Sequence, residues 1–282
     1  MKKSFTICMY SFITWLNSTK IVLFAIYFTI CYWVFISPYK IFAIEINSPM
    51  EILEPFLILE SLPFAVPLIP LLMLVWLSDI PLLDSSSKLV LYRIGKKQWF
   101  FGQIIFVFMI ALIFQLTIFI LSVLAIANNS FFANGYSLVL RHAAMGESNI
   151  TSSYTMNGSV LNQIRPFELF FNSFTLNLLY MITIGIIQYC FTLCSKRILG
   201  IILNFIIVGG GFCLLYIDSK LKWLMPLAHS VYTGHYDTVY NRTYCDLKYS
   251  YLYFGIIIIC LLTISYKITE RCSFHCIEEV DV

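Results

Sequence analysis

The chain has 282 residues, of which 60% are hydrophobic and only 12% charged, and its net charge is +3. Ordinary soluble domains carry about 25% charged residues, so a water-soluble globular fold is excluded. The mean hydropathy of +0.83 agrees, and the expected class is an all-α polytopic membrane protein.

In chain order, residues 1–20 come first. Phe5, Cys8, Met9, Phe12, Trp15 and Leu16 recur at helical spacing, with Ser4, Ser11, Asn17 and Ser18 between them. This pattern predicts an amphipathic helix in the membrane interface; the alternative is a simple extension of the first span. The polar break Asn17-Ser18-Thr19-Lys20 favours the interfacial helix. No Ala-x-Ala cleavage pattern follows, so the segment is expected to be retained.

Six apolar stretches follow, at Ile21–Ile36, Phe56–Leu77, Ile104–Ala127, Phe171–Cys194, Ile201–Ile217 and Tyr251–Tyr266. A spanning helix needs about 20 apolar residues, which predicts six transmembrane helices within residues 21–266. Connections at 37–55, 128–170 and 218–250 fall on one side. The loop 78–103 falls on the other side, as does the tail 267–282.

Lys and Arg counts set the orientation. With the N-terminus inside, the inner segments hold Lys2, Lys3, Lys20, Lys88, Arg93, Lys96, Lys97, Lys196, Arg197, Lys267 and Arg271. The longer outer segments hold only Lys40, Arg141, Arg165, Lys220, Lys222, Arg242 and Lys248. Both termini are therefore expected in the cytoplasm. The bias to Ile, Phe, Tyr, Asn and Lys points to an AT-rich, bacterial source, hence a plasma membrane.

Polar groups inside the spans are costly and informative. Span two carries Glu60 and, on one face, Pro63, Pro67 and Pro70, so it should be kinked. Glu60 reads either as a wetted group near the outer end or as part of a substrate path. Gln115, Asn177, Gln188 and Asn204 line such a path or hydrogen-bond between helices, the commoner use. Gly209-Gly210-Gly211 reads as close helix packing.

The nine cysteines are scattered. Cys31, Cys190, Cys194, Cys213 and Cys260 fall within spans, and Cys245 stands in an outer loop without an obvious partner, so no disulfide scaffold is expected. His229 and His235 read as loop histidines. In the tail, Cys272, His275 and Cys276 make a weak zinc signal lacking a fourth ligand. Asn128, Asn149, Asn157 and Asn241 begin Asn-x-Ser/Thr sequons, which such loops produce by chance.

The inner loop is the most informative stretch. Asp84 before Ser85-Ser86-Ser87 suits a helix N-cap, and Gly95 suits the stop. Arg93 sits in the last turn, complementing the helix dipole. Leu89, Val90, Leu91 and Ile94 need a surface to pack against, either the inner leaflet or a groove on a partner. Lys96 and Lys97 follow directly, then Trp99 and Gly102-Gln103 at the entry to span three.

With these features the chain resembles the membrane subunits of ABC-2 type transporters over most of its length. The Arg93-x-Gly95 step with Trp99 and Gly102-Gln103 is similar to that family's typical sequence. Trp223-Leu224-Met225-Pro226-Leu227 is similar to its short Pro-containing re-entrant segment. The resemblance implies a coupling helix docked into a cytosolic ATPase through Asp84, Leu89, Leu91, Arg93, Gly95, Lys96 and Lys97. It also implies a second membrane subunit, the pair enclosing a central path. The chain has no Gly-x-x-x-x-Gly-Lys-Ser/Thr phosphate loop, so ATP and Mg²⁺ are expected on a separate chain and none bound directly here.

The expected function is thus the permease subunit of an ATP-driven exporter for an amphipathic or hydrophobic cargo, such as a peptide, lipid-linked glycan or drug. The expected partners are ABC ATPase subunits, a second permease subunit and membrane lipid, with no nucleic acid. An ATP-independent secondary transporter is the alternative; such carriers often show inverted repeats, and the two three-span halves here do not match. A membrane-embedded enzyme is the weakest reading, since no span contains a His or paired acids.

Overall fold

A computed structural model describes residues 2–16, 20–62, 64–78, 80–81, 93–147, 150, 155–237 and 243–271. The fold is almost entirely helical. Five helices are long and apolar enough to cross a membrane: Val22–Glu45, Lys96–Asn129, Pro166–Leu193, Arg197–Tyr216 and Leu247–Arg271. The second apolar stretch is not a sixth such helix but two short ones.

Helix α1 spans Lys2–Leu16 and packs along the long helix Lys96–Asn129. Its packed face is Ser4, Ile7, Cys8, Ser11 and Trp15, whereas Phe5, Met9 and Ile13 are exposed. The expected apolar stripe is therefore only partly the buried one. Between helices in lipid, small residues and hydroxyls allow close approach, and large apolar groups face outward.

The first span comprises α2 (Lys20–Cys31), a π-helical segment Tyr32–Ile36 and α3 (Ser37–Glu45). It runs nine residues past the expected end at Ile36. Pro38 lies inside this continuous helix, where it removes one backbone hydrogen bond, and the π segment directly before it takes up the local misfit.

The second stretch forms α4 (Glu54–Ser61) and α5 (Leu68–Leu77) with a turn between. A kinked continuous helix was expected; the observed span is broken. Leu62 is extended, as the residue before a proline prefers, and Pro67 caps α5. Pro70 sits at the third position of α5, where backbone N–H groups have no intrahelical acceptor.

Helix α6 (Lys96–Ile126) is 31 residues long, about 46 Å. It starts eight residues before the expected Ile104 because Trp99, Phe100, Gly102 and Gln103 are buried. Gly102 permits the contact with α1: a Cβ there would lie 2.8 Å from Ile7 Cβ and from the Ser4 carbonyl oxygen. Gln103 Nε2 donates to Ser11 Oγ at 3.2 Å.

Short helices α7 (Leu138–Ala144) and α8 (Gly158–Gln163) lie in the 128–170 connection. A two-residue parallel pairing joins β1 (Met50–Glu51) to β2 (Ser130–Phe131). Helices α9 (Pro166–Leu193) and α10 (Arg197–Tyr216) follow. A short α11 (Pro226–Ser230) and a final α12 (Leu247–Arg271) complete the chain. Helix α9 is the central element, packed against α4, α5, α6, α10, α11 and α12.

The long helices share one sidedness. Lys96 Nζ donates to the Glu270 carbonyl at 2.9 Å, so the start of α6 and the end of α12 lie together. At the far end, Lys40 Nζ donates to the Ala125 carbonyl at 3.0 Å, capping the last turn of α6. Helix α10 buries Gly200, Asn204, Val208 and Gly211 and exposes Ile198, Ile202, Phe205 and Ile206. Helix α12 buries Ser250, Ser265 and Thr269 together with Phe254 and Ile258, while Leu252, Ile256 and Ile259 are exposed. This inside-out pattern suits a lipid solvent.

Candidate functional site

The break in the second span positions the most buried polar cluster. Glu60, in the last turn of α4, is 2% exposed. Gln115 Nε2 of α6 donates to Glu60 Oε1 at 2.7 Å, and Asn177 Nδ2 of α9 donates to Glu60 Oε2. One carboxyl therefore joins three helices through two neutral amides. The far carbonyl oxygens of both amides, Gln115 Oε1 and Asn177 Oδ1, are buried without a partner among the described residues.

Gln115 lies eleven residues before the end of α6 and Asn177 eleven residues after the start of α9, so each is about 17 Å from the far end. The cluster is thus held inside the helical bundle, and Glu60 is not the wetted end group considered above.

Beside it, a cavity of about 410 Å³ is lined by Ser61 and Val66 of the break, Phe212 and Tyr216 of α10, and Tyr236 and Tyr244 of the 218–250 segment, among others. Small-molecule sites occupy roughly 300–1,000 Å³ and are mostly apolar. Lys222 also reaches this wall, paired with Asp218 and 5.5 Å from the Tyr244 ring centre.

The other path candidates are placed elsewhere. Gln188 Nε2 reaches the Ser78 and Arg197 carbonyls, each at 3.4 Å, tying α9 to both neighbours. Asn204 Nδ2 donates to the Ile184 carbonyl at 3.3 Å. Both act as interhelical links one turn apart on α9. Gly211 serves close packing, since a Cβ there would meet Leu227 Cβ at 2.8 Å.

Of the coupling residues, Asp84, Leu89 and Leu91 lie outside the described residues, as do Cys272, His275 and Cys276. Arg93 and Ile94 are helical and Arg93 is exposed. Gly95 adopts φ +90°, ψ 150°, a conformation available to glycine and strained for other residues. It separates the preceding segment from α6, whose first bond runs from Trp99 N to the Gly95 carbonyl at 3.1 Å. Lys97 is exposed beside it.

At the far end, Glu54 is fully buried. Its Oε1 accepts from Ser137 N at 2.6 Å, and its Oε2 accepts from Ser137 Oγ at 2.7 Å and from Glu51 N at 3.1 Å. Ser137 in turn caps α7 by accepting from Leu140 N. Burial raises both the Glu54 and Glu51 carboxyls to about 7 despite these donors. Both carboxyls fall in the 37–55 connection, outside the expected spans.

His229 and His235 are not loop histidines at the surface: they are 5% and 1% exposed. Burial holds both below the ordinary imidazole range, His235 at about 4. Their six-residue spacing gave no warning, because Ser250 from another helix brings them together. Among the described residues every cysteine is free.

Comparison of the chain with family models, with curated proteins and with solved structures finds no match.

Proposed function

We propose that this chain is the membrane subunit of an ABC-2 type exporter in a bacterial plasma membrane. It crosses the bilayer six times, with the broken α4–α5 pair as the second passage and both ends of the chain on the cytoplasmic side. A separate cytosolic ATPase grips the 84–97 segment, and a second permease subunit completes the path. ATP-driven closure of the ATPases pushes on this segment, and the push is passed to the spans. The cargo is amphipathic or hydrophobic.

One observation carries the reading: α1 is clamped to the first turns of α6 directly beside the exposed Arg93–Lys97 step. Helix α6 exceeds the hydrocarbon thickness of about 30 Å, so its first turns project into the headgroup region with α1 against them. A push on residues 93–97 is then delivered to a rigid two-helix unit rather than to a loose loop. The cavity beside the break of the second span supplies an apolar surface toward which such a motion can act.

The alternative, an ATP-independent secondary transporter, is favoured by a different observation. Glu60 sits at the break of a discontinuous span, the place where such carriers bind coupling ions.

The two readings part in one experiment. Tagged protein is purified from its native host in mild detergent, as wild type and as the Arg93→Glu/Lys97→Glu variant. Stoichiometric co-purification of an ATPase identified by mass spectrometry, lost in the variant while the membrane chain stays monodisperse, supports the exporter. Intact wild type without an ATPase across several detergents, with proton- or sodium-driven uptake in proteoliposomes abolished by Glu60→Gln, supports the carrier.

A further inference from the structure

Residues 220–237 and 243–250 build a compact cluster whose histidines and cysteine neither transport reading uses. A 3₁₀ turn at Lys220–Leu224, helix α11 and a second 3₁₀ turn at Tyr232–His235 fold against α9, α10 and α12. Tyr236 and Thr243 pair as an antiparallel bridge, and Tyr244 N donates to the His235 carbonyl at 2.8 Å. This returns the chain so that Cys245 lies beside the two histidines. The donor atoms of His229, His235 and Cys245 lie within 4.8 Å of one another.

The hydrogen-bond geometry assigns both tautomers. His229 Nε2 faces the Trp223 carbonyl at 2.8 Å, and His235 Nδ1 faces the Val231 carbonyl at 3.0 Å. Carbonyl oxygens only accept, so these two nitrogens carry hydrogens. The opposite nitrogens, His229 Nδ1 and His235 Nε2, then present lone pairs. Both point at Ser250 Oγ, at 2.8 and 2.7 Å. A hydroxyl has one hydrogen and can satisfy one of them. A cluster that only stabilised the core would leave the second lone pair facing an oxygen lone pair in a buried site.

We infer that His229, His235 and Cys245 form a three-ligand site for a closed-shell d¹⁰ metal ion, Zn²⁺ or Cu⁺, at the far end of the helical bundle. Imidazole and thiolate suit these ions. Metal-bound histidines characteristically donate their other N–H to a backbone carbonyl, which fixes tautomer and ring orientation, and both histidines here do so. The rings are further held by Tyr253, stacked on His229 at 4.1 Å, and by Trp223, whose ring centre is 5.1 Å from that of His235. Metal–nitrogen and metal–sulfur bonds of about 2.0 and 2.3 Å require the donors to close by roughly 1 Å. Cys245 is half-buried while both histidines are buried, so the thiol side is the entrance, and Ser250 Oγ or water takes a fourth position. Among the described residues, the Lys222 charge reaches His235 and is itself paired with Asp218. The inference is independent of the exporter reading.

The test uses the full chain in detergent, stripped with a chelator, loaded with Zn²⁺ or, under anaerobic conditions, Cu⁺, and desalted. Metal is then counted by mass spectrometry. Wild type and Cys194→Ser, a thiol exposed at the opposite end, are expected to retain stoichiometric metal. Cys245→Ser and His235→Gln are expected to retain roughly tenfold less or lower still. Because His235→Gln can fail to fold, Co²⁺ serves as a second probe. A thiolate-to-cobalt charge-transfer band in wild type and Cys194→Ser, absent from monodisperse Cys245→Ser, supports the site. No metal on monodisperse wild type, equal retention in all four proteins, or Co²⁺ spectra without a thiolate band overturns it.

Discussion

At the scale of single residues, Glu60 and Glu54 are two buried carboxyls with different neighbours and different expected behaviour. Glu60 is held by two amide donors inside the bundle. Replacing it with Leu strands both, and each orphaned donor costs about 1–3 kcal/mol. Glu60→Leu is therefore expected to lower stability by about 2–6 kcal/mol, read as thermal unfolding in detergent. Wild-type stability in that variant would show that the carboxyl does not tie the helices. Glu54 opens α4 two residues before the expected start of span two at Phe56, and its folded value of about 7 exceeds the ordinary 4.5. A raised carboxyl contributes stability that is fully present below about 4.5 and is lost as pH rises through 7. With about 1.4 kcal/mol per unit, the effect is on the order of 3 kcal/mol. The stability gap between wild type and Glu54→Gln should accordingly shrink from pH 5 to pH 8. A gap that is constant or widening over this range would contradict the burial argument. Glu51, shifted the same way beside it, adds to the trend.

At the scale of elements, the contact of α1 with α6 rests on one missing side chain. Gly102→Val would drive its Cβ into Ile7 and the Ser4 carbonyl, and the backbone atom cannot move aside cheaply. The expected result is a loss of about 1–3 kcal/mol with new protease sensitivity within residues 2–16, while Gly209→Val, which meets nothing within 4 Å, leaves both unchanged. Sequence reading found α1 but mistook part of its face. Hydropathy periodicity marks the apolar stripe, and in lipid that stripe points away from the protein. Ser4, Ser11, Gly102 and Gln103 carried the packing signal instead. The same inversion explains α10, whose Gly200, Asn204, Val208 and Gly211 make its inner face. Prolines were read in the right place but with too mild an outcome. Leu62 is extended between α4 and the Pro67 cap of α5, so one helix ends before the next begins.

At the scale of the whole molecule, the ends of the five long helices sort into two sets. The Gly95 end gathers Lys96, Lys97, Lys196, Arg197 and Arg271, and the far end gathers the 128–170 and 218–250 segments. With positive charge retained inside, a membrane-impermeant maleimide should label Asn129→Cys in intact cells and Lys97→Cys only after lysis. Both positions are exposed. The reverse pattern would invert the topology and remove the 93–97 step from any cytosolic partner. Asn128 and Asn157 fall on the far side, where Asn157 and Val160 of α8 line the cavity.

Composition and the length of the apolar runs by themselves determined the helical membrane class, because no other backbone arrangement satisfies its hydrogen bonds in lipid except a closed barrel. They also located the five long helices, with ends off by up to nine residues, and showed that Glu60 and the amides of Gln115 and Asn177 needed an explanation. Only the tertiary structure decided that these three meet, that Gln188 and Asn204 do not join them, and that His229, His235 and Cys245 converge. The reason is physical. Glu60, Gln115 and Asn177 come from three helices, and His229, His235 and Cys245 from α11, the 3₁₀ turn after it and the stretch before α12, so their meeting is set by packing between elements rather than by any local spacing.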